Sequence, residues 1–361
     1  MRLATDFSLH RPDVPVVPLL QFAAEAHDSG GTPWERRFDS LVRAGAELFD
    51  LSDLDRADLV VIPTDWYWVR GSSWASRPDR GLARRLRTLH DLARQANTPT
   101  AVIFTGDRSC DRVELPGAHV FREGPFRSRL SPFDHPMPAF AEDLLEAHCE
   151  GQIVERTRET RPVVGFCGLA SSRSSFDRMA RLVLYRLVVA ARERRIDPSP
   201  YLGELMRRDA LEQLERSDRV DTNFVIRDSS VFFRDAASAA ELIDVRQEYV
   251  DNLISSDYVL CIRGSGNYSY RLYETLSMGR IPVIIDTDLA LPFPEEIPWR
   301  EVCVWVPEQE RHHLGEFIAE HHDRLSDEEF AAAQHRARRV WVEHLSPVGY
   351  FSRLADLVAA R

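Results

Sequence analysis

Along most of this chain, short unbroken apolar runs alternate with segments in which apolar residues recur every three or four positions. In the first half, "VPVVPLL" (14–20), "ADLVVIP" (57–63) and "TAVIFTG" (100–106) read as strands, because a run with no polar alternation has no solvent face. Two helices are predicted between them. One opens at "TPWE", with Thr32 as cap, Pro33 in the first turn and Glu35 closing a capping box, and the other covers about Gly81 to Asn97. Strand, helix, strand, helix, strand is the pattern of a parallel sheet with helices on its faces. From 107 to 161 the prolines at 116, 125, 132, 136 and 138 interrupt the pattern. That stretch reads as long loops followed by a helix around "FAEDLLEAHCE".

The alternation then resumes. Strands are expected at 162–168, 222–227, 257–262, 281–286 and 302–307, with helices from Ser175 to about Arg195, at 244–255 and at 269–278. "SDEE" at 326–329 is a capping box that opens a helix to about Leu345, and Gly349 to Arg361 reads as one more helix. The expected fold class is α/β, with two Rossmann-like, doubly wound parallel-sheet domains. The boundaries are 1–158 for the first domain, 159–345 for the second, and 346–361 for a terminal helix that returns to the first. Ligands of such sheets bind beyond the carboxyl ends of the strands.

Composition narrows the chemistry. A net charge of −11 disfavours a general affinity for nucleic acid or anionic membrane, so any anion site must be local. There is no lysine among the 46 basic residues, which excludes a Walker lysine, a Schiff base and a pyridoxal-phosphate anchor. Cys110, Cys149, Cys167, Cys261 and Cys303 lack any CxxC spacing and read as small buried hydrophobes. The start carries no signal-like apolar segment and "LVLYRLVVAA" (182–191) is too short to span a bilayer, so a cytoplasmic protein is expected.

The most informative stretch is "RGSGNYSYRLYE", 263–274. Arg263, Gly264, Ser265, Gly266, Asn267, Tyr268 and Ser269 form a loop between a strand and a helix, where backbone N–H groups and the helix N-terminus favour a phosphate. Arg271 and Glu274, three apart, supply a cation for that phosphate and an acceptor for a sugar hydroxyl; the blander alternative is that they pair with each other across one turn. A rival reading is a dinucleotide fingerprint made by Gly264, Gly266 and Ser269 with Asp286 twenty residues past Gly266. It would make the chain an NAD-dependent oxidoreductase, but the third glycine is missing and the unit sits late in the chain.

Residues 257–308 resemble the nucleotide-sugar-binding half of the exostosin glycosyltransferases. Their pattern S-x-R-x-x-E-A-x-x-x-G-x-I-P-V-I, then L-P-F, W and V-P-E, is matched by Ser269, Arg271, Glu274, Gly279, Ile281 to Ile284, Leu291 to Phe293, Trp299 and Val306 to Glu308. Thr275 replaces the usual alanine. The resemblance implies a GT-B fold, with the two Rossmann-like domains facing a central cleft, a UDP-sugar in the second domain, an acceptor in the first, and transfer with inversion. The leading expectation is an active transferase; a further alternative is a catalytically silent member that binds a nucleotide sugar or pairs with an active transferase.

Inverting transfer requires charge compensation at the departing diphosphate and a base for the acceptor hydroxyl. Arg173 and Arg178, in "GLASSRSSFDR", join Arg271 as candidates for the first role. For the second, Asp107 after "AVIFTG" and Asp65 after "LVVIPT" stand at strand ends. Trp66, Tyr67 and Trp68 beside Asp65 are candidates to stack on a sugar, although core packing is simpler. Glu25, His27 and Asp28 form a further polar cluster, read as a loop. His312–His313 and His321–His322 read as solvated helix faces, and "DTD" (286–288) as turn residues, so no metal cofactor is expected. Arg271→Ala and Glu274→Ala are each expected to abolish transfer with little effect on melting.

Overall fold

A computed structural model describes residues 1–23, 36–71, 77–170, 203–227 and 239–359, with 176, 179, 180, 183, 184, 186 and 187 between them. The cap at Thr32 to Glu35, the cluster at Glu25 to Asp28, Arg173 and Arg178 lie outside the described residues. The chain divides into two compact units, one of 1–140, 289–292 and 345–361, the other of 141–288 and 293–344.

The first unit carries β1 (Arg2–Ala4), β2 (Asp50–Leu51), β3 (Leu59–Val61), β4 (Thr100–Phe104), β5 (His119–Glu123) and β6 (Asp134–Met137). The order is β2-β1-β3-β4-β5-β6, parallel throughout. Three helices follow strands here: α1 (Asp39–Leu48), α2 (Trp66–Arg70) and α3 (Arg80–Gln95). Leu82, Leu86, Leu89 and Ala93 make the buried stripe of α3 and pack with Val60, Ile62, Val102 and Phe104.

Two expectations fail in this unit. Residues 14–20 are not a strand: Pro15 and Pro18 lack the N–H groups that a ladder needs, and a 3-10 turn starts at Pro18. The first strand is Arg2–Ala4, three residues, too short to show a period. The stretch from 107 to 161 is not mainly loop either, since it contributes β5 and β6. Their apolar signal is masked by buried polar residues that satisfy one another. Arg122 Nε donates to Asp134 Oδ1 at 2.5 Å, and His119 Nδ1 lies 2.9 Å from His135 Nε2.

The second unit opens with α4 (Leu144–His148) and carries β7 (Val163–Leu169), β8 (Asp221–Arg227), β9 (Tyr258–Leu260), β10 (Ile281–Asp286) and β11 (Val304–Pro307) in the parallel order β11-β10-β9-β7-β8. Around them lie α5 (Gly203–Arg216), α6 (Ala239–Ile254), α7 (Tyr270–Ser277), α8 (Trp299–Val302), α9 (Leu314–Asp323) and α10 (Asp327–Val340). Helix α5 was not anticipated; Met206, Ala210, Leu211 and Leu214 bury it on the sheet. The capping box at Ser326 and Glu329 forms as expected. A π turn over Trp341–Leu345 ends that helix. Residues from 347 form two short helices, α11 (Pro347–Phe351) and α12 (Leu354–Ala359), rather than one. Tyr350 Oη donates to Pro136 O at 3.0 Å within the first unit.

Both sheets are doubly wound in the same sense. The second strand lies on one side of the first and the third on the other, which creates a switch point between β1 and β3 in one unit and between β7 and β9 in the other. Among the described residues no helix is long and apolar enough to cross a membrane.

Candidate functional site

At the switch point of the second unit, the loop from Arg263 to Ser269 is held by its own polar groups. Arg263 folds back, with Nε donating to Gly266 O at 3.1 Å and Nη2 to Ser265 O at 3.1 Å. Gly264 N donates to Tyr268 O. Asn267, buried, accepts from Thr287 Oγ1 at 2.6 Å and donates to Asp288 O at 3.4 Å, tying the loop to the end of β10. Ser269 occupies the N-cap of α7 without a side-chain cap bond, so its hydroxyl leaves the first-turn N–H groups uncapped.

Arg271 turns away from Glu274. Its Nη2 donates to Cys167 O at 2.8 Å and its guanidinium stands 4.4 Å from the Phe166 ring centroid. Gly168, at φ +155°, is required here, because a Cβ would lie 2.6 Å from Arg271 Nη2. A second arginine, which the sequence reading missed, comes from α5. Arg207 donates through Nη1 to Leu169 O at 2.7 Å and through Nη2 to Arg263 O at 3.2 Å, and its guanidinium stands 5.8 Å from the same ring. Burial first, and then the charge of Arg271, push the Arg207 pKa down to about 9. Close approach of α5 to the loop depends on Gly203, whose Cβ would lie 2.2 Å from Gly264 O. Among the described residues neither guanidinium has a carboxylate in ion-pair contact, and the Nε of each is buried without a hydrogen-bond partner. Two like charges gathered at the carboxyl ends of β7 and β9 are costly alone and suited to an anion.

Glu274 is engaged elsewhere. It is 6% exposed, accepts from Tyr249 Oη at 2.6 Å and from Arg246 Nη1 at 3.1 Å, and Arg246 also donates to Glu142 at 3.2 Å. Burial and the neighbouring Glu274 carboxylate drive the Tyr249 pKa up. The structure thus places Glu274 in a buried polar cluster behind the loop.

In the first unit, carboxylates line the carboxyl edge of β3, β4 and β5. Asp65 caps α2, accepting from Tyr67 N at 2.8 Å, and takes Thr105 Oγ1 at 2.7 Å and Thr105 N at 3.2 Å; burial raises its pKa to about 6. Glu123, which the sequence reading passed over, ends β5 and accepts from Gly106 N at 2.8 Å. Burial, reinforced by the charge of Asp65 and opposed by the Gly106 N–H, raises its pKa to about 8. Asp107 is exposed in the turn after β4. Trp66 is core, whereas Tyr67 lies against Gly106 and packs edge-on to Trp68 at 4.9 Å. A signal for Glu123 existed in "HVFREG", a charged residue at the end of a run, just before a glycine.

The remaining candidates disperse. Asp286 accepts from Trp305 Nε1 at 3.2 Å, and Asp288 adopts φ +62° in the turn that holds Asn267. His312 and His313 are exposed, as expected. His322 is not on a solvated face: it is buried, with Nε2 2.7 Å from Glu159 O and Nδ1 3.2 Å from Tyr258 Oη. His321 is half-buried beside it, and burial lowers its pKa to about 4. No cluster of three or more metal-ligating side chains occurs among the described residues. All five cysteines are unpaired, and Cys167, Cys261 and Cys303 are buried.

Residues 192–320 match the family model described as the Exostosin GT47 domain, which covers the loop, α5 and α7 and bears out the resemblance seen in 257–308. The probable glucuronosyltransferase GUT1 of Oryza sativa subsp. japonica is 40% identical over 67 residues, 19% of this chain and 16% of that protein. The probable beta-1,4-xylosyltransferase IRX10 of Arabidopsis thaliana is 40% identical over 62 residues, 17% of this chain and 15% of that protein. The matched stretches therefore span about a sixth of the relatives' own length. The solved structure of TarM aligns with a TM-score of 0.35 at 10% identity, covering 79% of this chain and 59% of that one, a likeness too slight to carry an argument.

Proposed function

We propose that this chain is a glycosyltransferase that moves a sugar from a UDP-sugar to a hydroxyl acceptor with inversion at the anomeric carbon. The observation that carries the reading is the pair Arg207 and Arg271, held on Phe166 at the switch point with no carboxylate in ion-pair contact among the described residues, inside the segment that matches the Exostosin GT47 domain. The names of the similar relatives, a glucuronosyltransferase and a xylosyltransferase, agree with a donor of that class. As the bond to the sugar breaks, negative charge grows on the leaving diphosphate. Guanidiniums fixed by carbonyls before the reaction lower the barrier without having to reorganise. The first-turn N–H groups of α7 add partial positive charge at the same end of the sheet. With two arginines and a helix terminus available, the transfer proceeds without a metal ion.

Thermal melting with UDP, UDP-sugars, GDP-sugars and NAD(H) tests the reading. At a ligand concentration of about 100 Kd, binding adds about 2.7 kcal/mol of stability, a shift of roughly 2–4 °C for a chain of this size. UDP should give that shift, and the double variant Arg207→Met, Arg271→Met should lose it. A shift with NAD(H) and none with UDP would overturn the reading in favour of an oxidoreductase.

A further inference from the structure

The loop that precedes α7 is shaped by bonds to its carbonyl oxygens. Arg263 donates to Ser265 O and Gly266 O, Arg207 to Arg263 O, and Gly264 N to Tyr268 O. In a planar trans peptide the C=O and the following N–H point in opposite directions. With the carbonyls of Ser265 and Gly266 turned onto the Arg263 guanidinium, the N–H groups of Gly266 and Asn267 face the other way, as in a backbone anion site. These bonds close the loop upon itself and onto α5; they do not fix its far end to the sheet. Asn267 and Thr287, 3% and 2% exposed, make that tie. Thr287 Oγ1 donates to Asn267 Oδ1 at 2.6 Å, and Asn267 Nδ2 donates to Asp288 O at 3.4 Å. Asp288 takes φ +62° in presenting that carbonyl, a left-handed conformation that persists where surrounding bonds over-determine it. Thr287 directly follows Asp286, the last residue of β10, so the position of the loop is referred to the sheet itself.

We propose that Thr287 and Asn267 are positioning residues for the diphosphate of the nucleotide, and that the "DTD" turn at 286–288 serves donor binding through Thr287 Oγ1 and Asp288 O rather than through its carboxylates; this rests on the transferase reading above. Both side chains are buried and spent on each other and on the turn, so they act through the loop and not on the donor. They hold the loop N–H groups and the uncapped first turn of α7 in place before the phosphates arrive. An anion site set in advance loses less conformational entropy when it fills. Without the tie, the loop has to be ordered by the ligand, and affinity for the phosphates falls.

The test compares Thr287→Val, which keeps the shape of the side chain and removes its hydroxyl, with Thr287→Ser, which keeps the hydroxyl, by calorimetric titration of the full chain with UDP. Expected for Thr287→Val is a roughly tenfold rise in the UDP Kd, the factor that one lost buried hydrogen bond supports. Thr287→Ser should stay within about twofold of wild type, since the bond to Asn267 Oδ1 is kept. Asn267→Gln displaces the other end of the tie and should reproduce the rise, which keeps the test decisive if Thr287→Val folds poorly. Asp286→Asn, which alters the same turn at its Trp305 contact, should leave the Kd unchanged. A Kd within about twofold of wild type in Thr287→Val, a loss that Thr287→Ser fails to restore, or an equal loss in Asp286→Asn overturns the assignment and leaves the transferase reading standing. A wild-type chain that binds no UDP overturns both.

Discussion

Replacing Glu123 by glutamine should make the first unit more stable in alkaline solution, independently of any activity. The carboxyl is 4% exposed and titrates at about 8 in the folded chain, against an ordinary value of 4.5. Between those values the folded form keeps a proton that the unfolded form has lost, so stability is fully present below about pH 4.5 and is lost as pH rises through about 8. At 1.36 kcal/mol per pH unit the interval corresponds to an upper bound of about 5 kcal/mol. Water entry on ionisation reduces this to about 2–4 kcal/mol. Glutamine removes the ionisation and keeps the bond to Gly106 N. Urea unfolding at pH 5, 7 and 9, with amide exchange on β5 to report on this unit, should show the variant gaining on wild type by about 2–4 kcal/mol from pH 5 to pH 9. Asp65 contributes the same sign of pH dependence below about pH 6 in both proteins and cancels in the comparison. Parallel pH dependences would mean that Glu123 is already ionised and hydrated at pH 5, and would refute the argument.

Glu274→Ala should lower stability by about 2–4 kcal/mol in a urea titration, because it removes the buried carboxylate to which Arg246 Nη1 and Tyr249 Oη donate; a change under about 0.5 kcal/mol would refute the buried placement of that carboxylate. Exhaustive EDTA treatment should leave transfer intact, and Asp286→Asn should change stability alone through its Trp305 contact; activity lost to EDTA and restored by Mn²⁺ or Mg²⁺ would make Asp286 and Asp288 the first ligands to examine.

The unit from β9 through α7 to β10 was legible because its strands are buried on both faces and read as unbroken apolar runs, punctuated by glycines and a helical period. Helix α5 was not, and with it Arg207, because arginines and acids dilute a stripe of only Met206, Ala210, Leu211 and Leu214. β5 and β6 escaped for another reason: Arg122 with Asp134, and His119 with His135, are partnered across strands, and pairing between distant positions leaves no local period. The run at 14–20 had the hydrophobicity of a strand but not the N–H groups, and there proline chemistry outweighed pattern. Within the site, residue types were read more accurately than their partners. Arg271 and Glu274 stand on one helix as spacing required, yet each is claimed by a different neighbour, Cys167 O for one and Arg246 for the other.

The chain passes between its two units four times, after residues 140, 288, 292 and 344. Arg280 shows how far this interlacing reaches inside the second unit, since one buried guanidinium bonds to Val154 O, Leu253 O, Ile254 O and Gln334 Oε1. A ribosome delivers these pieces in order, so residues 1–140 emerge long before the 345–361 segment that completes their unit. The first sheet must therefore wait, partly uncovered, through synthesis of nearly all of the second. Cleavage at any one peptide bond between 140 and 344 leaves at least one unit short of a piece, and such fragments are expected to associate or aggregate rather than to fold as independent domains.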